Sequence, residues 1–166
     1  MSAIAQAKKS QRQKVSVEAK LSQNQVKPAS TCFLLLIATI EDGWHINSSN
    51  PSDDNLVPTS VLVDKKQVID SVHIQFPPAL EQKFDFSEEP LEVYEGTINI
   101  FVRLEIRKSV KPGTYLIPAT VFYQSCSNKV CLAPTSVSVN IPVHITNNER
   151  AIHQINKDLF EPYTLK

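Results

Sequence analysis

Cys126 and Cys131 are the residues of this chain best suited to chemistry, set in Tyr123-Gln124-Ser125-Cys126-Ser127-Asn128-Lys129-Val130-Cys131-Leu132-Ala133-Pro134. A strand ending at Gln124 and another beginning near Pro134 put the two sulfurs on the arms of one hairpin, where a short disulfide is geometrically possible. Such a bond closes a small ring, so it removes less freedom from the unfolded chain than a long-loop staple does. It reads as a modest stabiliser suited to exchange, a redox pair. Exchange needs a thiolate, and an ordinary cysteine, with a pKa of about 8.5, is only slightly ionised at neutral pH. Lys129, between the cysteines, could favour a thiolate electrostatically. His45 could do likewise, or hydrogen-bond to sulfur, if its turn lies beside the hairpin. The plainer readings are a solvated lysine and a packed histidine. Cys32, on an apolar stretch, is left over and reads as a small buried hydrophobe. Zinc would need two further ligands, and His45, His73, His144 and His153 lack paired metal-ligand spacing, so neither metal nor another cofactor is expected. No Ser-His-carboxylate or paired-carboxylate grouping stands out, which leaves hydrolysis without support.

The elements that must hold this pair are written in period-two alternation. Val15, Val17, Ala19 and Leu21 alternate with polar residues, as do Val72, Ile74 and Phe76. Ile98, Ile100, Val102, Leu104 and Ile106 repeat the pattern, broken only by Phe101 on the outer face, and so do Val137, Val139, Ile141, Val143 and Ile145. These are half-buried antiparallel strands. Phe33 to Ile40 is the longest apolar run and reads as a buried central strand; it is too short to span a bilayer. Turn signals at Asp42-Gly43, Asn50-Pro51, Pro77-Pro78, Glu95-Gly96 and Lys111-Pro112-Gly113 separate about eight strands, with no helix between them. That spacing predicts an all-β, immunoglobulin-like antiparallel sandwich and argues against a thioredoxin fold. A C-terminal helix is expected, capped by Thr146 or Asn147, with an apolar stripe of Ile152, Ile155, Leu159 and Phe160. The division is therefore a disordered or appended tail over 1–13, the sandwich over 14–146, and a helix and tail over 147–166.

At 166 residues and 42% hydrophobic content the chain can bury one core. Its 17 basic and 17 acidic residues cancel, which excludes a dedicated nucleic-acid binder with a cationic excess. The charge is uneven: residues 1–30 are basic and 81–95 acidic, read as a solvated tail and an acidic loop. The apolar run lies too deep in the chain to be a secretory signal. The residues alone fit either a cytosolic protein or one whose export signal or membrane anchor lies outside this sequence.

Several short motifs together carry a resemblance. Asp42-Gly43-Trp44-His45-Ile46-Asn47, Val57-Pro58-Thr59, Phe76-Pro77, Val93-Tyr94-Glu95-Gly96, Tyr123-Gln124-Ser125-Cys126 and Cys131-Leu132-Ala133-Pro134 occur in an order and spacing that resemble the N-terminal domain of the thiol:disulfide interchange protein DsbD. The resemblance runs from about residue 14 to 146 and implies an immunoglobulin-like sandwich in the bacterial periplasm. It implies that Cys126 and Cys131 are the exchanging pair of a protein-disulfide reductase component. Electrons would come from a thioredoxin-like domain and pass to an oxidised acceptor such as a periplasmic disulfide isomerase or a cytochrome c maturation thiol protein. By the same resemblance Cys131 is the sulfur attacked by the donor and Cys126 the resolving one. An aromatic lid is implied at Lys83-Phe84-Asp85-Phe86-Ser87, with Phe84 or Phe86 as the cover; the competing reading is two aromatics packed on one strand face. The segment from Trp44 to Asn47 is implied to lie near the active face; Tyr123 and Trp44 read as sandwich-core residues and Pro134 as a limit to edge pairing after the second cysteine, so that the three frame the site. Membrane attachment would come only through another part of a longer protein. The alternative is a non-catalytic immunoglobulin-like binding module whose disulfide is a structural staple.

Overall fold

The computed structural model describes residues 13–164. Most of the expected tail over 1–13 lies outside the described residues; Gln13 itself donates a side-chain hydrogen bond to the Ser136 carbonyl at 3.1 Å. Wherever alternation is strong in the sequence, a strand forms. Strands β1 (Val15–Leu21), β2 (Thr31–Ile40), β3 (His45–Asn47), β4 (Ser60–Val63), β5 (Ile69–Gln75) and β6 (Leu80–Gln82) fill the first half. The second half holds β7 (Leu91–Tyr94), β8 (Thr97–Ile106), β9 (Gly113–Tyr123), β10 (Ser125–Cys126), β11 (Thr135–Ile145) and the helix α1 (Lys157–Thr164). Three sheets result, ordered β1-β2-β8-β5, β11-β9-β4 and β10-β3-β7-β6, and every strand pairing within them is antiparallel.

The first two sheets supply most of the core. Leu34, Leu36 and Ala38 of β2 and Ile100, Val102 and Leu104 of β8 are almost wholly buried, and they join Ile117, Ala119 and Val121 of β9 and Val139 and Ile141 of β11 in one cluster. Full burial of each large aliphatic side chain contributes roughly 1.5–3 kcal/mol, so this layer dominates the stability of the fold. The expected central strand is β2, flanked by β1 and β8. Its second face is covered as well: Leu35 and Phe101 pack with Phe160 of α1, and Tyr163 stacks on Phe101 at 4.5 Å. Phe101 breaks the alternation because the outer face there is sealed by a helix.

The C-terminal segment departs from a continuous helix starting near 147. Asn148, rather than Thr146 or Asn147, caps a single 3-10 turn over Glu149–Ala151. Residues 153–155 then run extended beside 22–24, with Asn24 N–H bonding the His153 carbonyl at 3.1 Å and Ile155 N–H the Ser22 carbonyl at 2.9 Å. Asn156 takes a left-handed φ of 53° and its side chain donates to the Leu21 carbonyl at 2.8 Å, which delays the helix to Lys157. Tertiary backbone bonding outweighs the helical stripe here.

Candidate functional site at the disulfide hairpin

After Tyr123 the chain leaves the β11-β9-β4 sheet, and its next strand, β10, pairs with β3 in the small sheet. The tip is a short hairpin. Ser127 N–H bonds the Val130 carbonyl at 2.8 Å and Leu132 N–H the Ser125 carbonyl at 2.9 Å, leaving Cys126 directly opposite Cys131. Residues facing each other between two such bonds form the closer kind of antiparallel pair, and the Cα atoms stand 4.0 Å apart, joined by a disulfide. Ser127 fixes the turn, its hydroxyl accepting from the N–H groups of Lys129 and Val130, each at 3.2 Å. Gln124 braces the two arms with a side-chain bond to the Leu132 carbonyl at 3.2 Å.

The two sulfur-bearing residues differ in access. Cys126 is 1% exposed, whereas Cys131 lies on the surface. An incoming thiolate must approach an accessible sulfur, so the geometry offers Cys131 for attack and keeps Cys126 inside. Val130 beside it is an exposed apolar residue next to the disulfide.

His45 faces Cys126 across the β3–β10 pair. It is 2% exposed, its ring stacks on Phe84 with centroids 4.2 Å apart, and its Nε2 is buried without a hydrogen-bond partner. Burial holds its pKa below the ordinary histidine value, with Glu95 opposing the shift. Phe84 is buried against Leu91 and Val93 of β7, with Leu56 beside them, so the aromatic lies on the same small sheet as the disulfide. Phe86 stacks on Phe84 at 5.2 Å yet remains 47% exposed. The segment holding them is closed on itself: Ser87 N–H bonds the Phe84 carbonyl at 3.1 Å, and the Lys83 ammonium donates to the carbonyls of Ser87 and Glu88. Neither phenylalanine lies in a strand, so the strand-face reading of the pair is not what the fold uses. An open cleft of about 800 Å³, lined by Trp44, His45, Lys83, Phe84, Glu95 and Asn128, runs between this segment and the hairpin turn.

The remaining residues singled out in the sequence fall in two groups. Asn47 is buried, donating to the Val57 carbonyl at 2.9 Å, while the Thr59 hydroxyl donates to the Asn47 carbonyl at 2.6 Å, which ties the Val57-Pro58-Thr59 segment to β3. Tyr123 is buried in the main core, and Lys129 is exposed on the turn. Trp44 is partly buried, with the Lys14 ammonium 4.9 Å over its ring. Sequence reasoning passed over Ser125, whose hydroxyl is buried and unpartnered next to Cys126, and Glu95 as an electrostatic neighbour of His45. The Val93-Tyr94-Glu95-Gly96 motif contained the second of these; its turn uses Gly96 at φ +64°. Cys32 is buried on β2, away from the site, and burial pushes its thiol up to about 11. Among the described residues no three His, Cys, Asp or Glu side chains group closely enough to hold a metal ion.

An antiparallel sandwich that presents a half-buried disulfide at the tip of an edge hairpin, beside a buried imidazole and a buried phenylalanine, is an arrangement suited to thiol–disulfide interchange. The family described as "Thiol:disulfide interchange protein DsbD, N-terminal" matches residues 11–142, and the chain belongs to that family. No curated protein sequence matches it. Among solved structures, the N-terminal periplasmic domain of ScsB from Proteus mirabilis superposes with a TM-score of 0.59 at 16% identity, over 82% of this chain and 49% of that one. The chain thus spans about half the length of the ScsB domain, and the likeness establishes the shared sandwich fold. The reduced N-terminal domain of Neisseria meningitidis DsbD aligns at 16% identity over 73% of this chain and 80% of that one, with a TM-score of 0.43. Among the described residues no helix is long and apolar enough to cross a membrane.

Proposed function

We propose that this domain relays reducing equivalents in the periplasm: a thioredoxin-like donor reduces the Cys126–Cys131 disulfide, and the resulting dithiol reduces an oxidised periplasmic protein. The observation that carries the reading is the unequal access of the two sulfurs, with Cys131 on the surface and Cys126 enclosed. In the reductive half-reaction the donor thiolate attacks Cys131 Sγ, Cys126 leaves as the thiolate, and the donor's second thiol then releases Cys131. The dithiol repeats these steps in reverse on its acceptor, a disulfide isomerase or a cytochrome c maturation thiol protein.

In the same reading Phe84 is the lid. Its burial over His45, with Phe86 stacked outside it, supports that choice. Such a lid shields the enclosed Cys126 side of the bond while Cys131 stays accessible, and its displacement couples release of the Cys126 thiolate to docking of the right partner.

The test is the equilibrium potential of the couple, measured by mass-resolved thiol trapping across a graded redox buffer. A midpoint between about −270 and −120 mV, the span from thioredoxin to the oxidising catalysts, is expected of a relay. A midpoint below roughly −300 mV would mark a structural bond and replace this reading with a binding module.

A further inference from the structure

The strand registers set three residues in one line at the edge of the small sheet. Cys131 faces Cys126, and Cys126 faces His45. Between β3 and β7, Asn47 faces Val93 and Ile46 faces Tyr94; Glu95, the residue directly after β7, lines the same cleft as His45 and acts on it by its charge. Paired residues project from the same face of a sheet, and their side chains touch their neighbours across the strands. The row therefore reads thiol, thiol, imidazole, with a carboxylate lining the same cleft, all assembled from segments far apart in sequence.

This order matters because of what Cys126 must do. When it closes on a mixed disulfide it has to lose a proton, and at 1% exposure it has little access to water that could take one. A thiolate formed in such surroundings is disfavoured unless a neighbouring group accepts the proton or stabilises the charge. Cys131, at the surface, exchanges its proton with solvent. His45 has a buried Nε2 with no partner while the disulfide is closed, and a Cys126 thiol in the reduced protein is the group that the cross-strand pairing brings to it. The depressed pKa of His45 leaves it neutral and able to accept at neutral pH.

Resting on the exchange reading above, we propose that His45 accepts the Cys126 proton during ring closure and returns it during reduction, with Glu95 as the positioning residue that polarises the imidazole. In the oxidative half-reaction Cys131 is bonded to the acceptor's sulfur. Cys126 Sγ attacks Cys131 Sγ, the Cys126–Cys131 bond forms, and the bond from Cys131 to the acceptor breaks. The acceptor sulfur leaves as a thiolate carrying the electron pair, and the proton from Cys126 passes to His45. In the reverse direction Cys126 is the leaving group and His45 in its charged form protonates it. The other charged groups around the cleft are Glu41, Asp42 and Lys83. Glu41 and Lys83 are engaged elsewhere, with the Lys14 ammonium and with backbone carbonyls respectively, and Glu95 is the carboxylate whose charge acts on His45.

The experiment uses the fully reduced full chain mixed with oxidised glutathione, acid-quenched over time and resolved by mass into the mixed disulfide on Cys131 and the closed Cys126–Cys131 bond. Wild type, His45→Gln and Glu95→Gln are compared from about pH 5 to 9, on either side of the ordinary histidine pKa. In wild type the closing rate is expected to rise through an inflection below the ordinary histidine value. His45→Gln should close at least roughly tenfold more slowly at neutral pH and lose that inflection, while the first step on Cys131 stays within about twofold. Glu95→Gln should move the inflection to lower pH, since the carboxylate that raises the imidazole's pKa is gone. Closure in His45→Gln within about twofold of wild type with an unchanged profile overturns the proposal, as does an equal slowing of both steps. If His45→Gln does not fold, an unmoved inflection in Glu95→Gln overturns it. A wild-type protein that forms no mixed disulfide at all instead removes the exchange reading on which the proposal rests.

Discussion

Breaking the Cys126–Cys131 bond should cost the fold little, and the size of that cost separates a redox couple from a staple. The cysteines are separated by 5 positions in sequence, and the chain-entropy relation for so small a loop gives roughly 2 kcal/mol, against about 4.7 kcal/mol for a 100-residue loop. A thermodynamic cycle links this figure to the potential: whatever the bond adds to folding, folding adds to the bond. With 30 mV equivalent to about 1.4 kcal/mol for two electrons, the native couple should lie only about 45 mV below the same cysteines in the unfolded chain. Two assays read the two sides of that cycle. Urea unfolding of oxidised and dithiol-reduced protein should differ by about 2 kcal/mol, and thermal unfolding by about 4–8 °C. Thiol-trapping titrations with and without denaturant should give the corresponding shift. A stability difference above about 4 kcal/mol, with a native couple displaced by more than about 85 mV, would show a bond held by the fold far beyond its ring entropy and refute the reasoning.

Phe84 is 5% exposed in a small satellite cluster, so Phe84→Ala should lose about 1–3 kcal/mol, less than the 3–5 typical of a main-core phenylalanine, and speed dithiothreitol reduction of the disulfide. Phe86→Ala, at 47% exposure, should cost under about 1 kcal/mol in the same urea assay. Leu36→Ala, in the centre of β2 with 0% exposure, should lose about 2–5 kcal/mol in urea unfolding without altering the redox midpoint. The folded pKa of His45 lies below its unfolded value of 6.5, so the unfolded chain binds a proton the fold does not. That contribution to stability is complete above the unfolded value and drains as pH falls through it towards the folded one. Urea midpoints should therefore drop on the acid side, and His45→Phe should flatten that slope. In reduced native protein an alkylating agent should label Cys131 first, Cys126 slowly, and Cys32, with its thiol raised to about 11, only after unfolding.

Much of the framework was legible because long strands write their burial into alternation. β1, β8 and β11 begin and end close to where their alternation does, since a strand facing one core must place an apolar residue at every second position, whereas β2, covered on both faces, shows as a continuous apolar run. The sulfur pair was legible too, from two cysteines between two strands. The small sheet was not. β3, β6 and β10 are only three, three and two residues long, too short for any period to emerge. The split of the C-terminal segment was hidden for a related reason. A helical stripe at Ile152 and Ile155 promises a helix, but backbone partners at Ser22 and Asn24 hold residues 153–155 extended.

Residue types and local spacing therefore determined that this chain is an antiparallel sandwich carrying a closely spaced sulfur pair able to form a disulfide, because solvent patterning and short-range geometry are local properties. Which sulfur faces solvent, that Phe84 rather than Phe86 lies buried over His45, and that His45 joins the two cysteines in one cross-strand row with Glu95 beside it in the cleft were decided only by tertiary structure. Those facts depend on the pairing of β10 with β3 and β3 with β7. Strand register between distant segments is set by the packing of the whole fold and leaves no mark at any single position of the sequence.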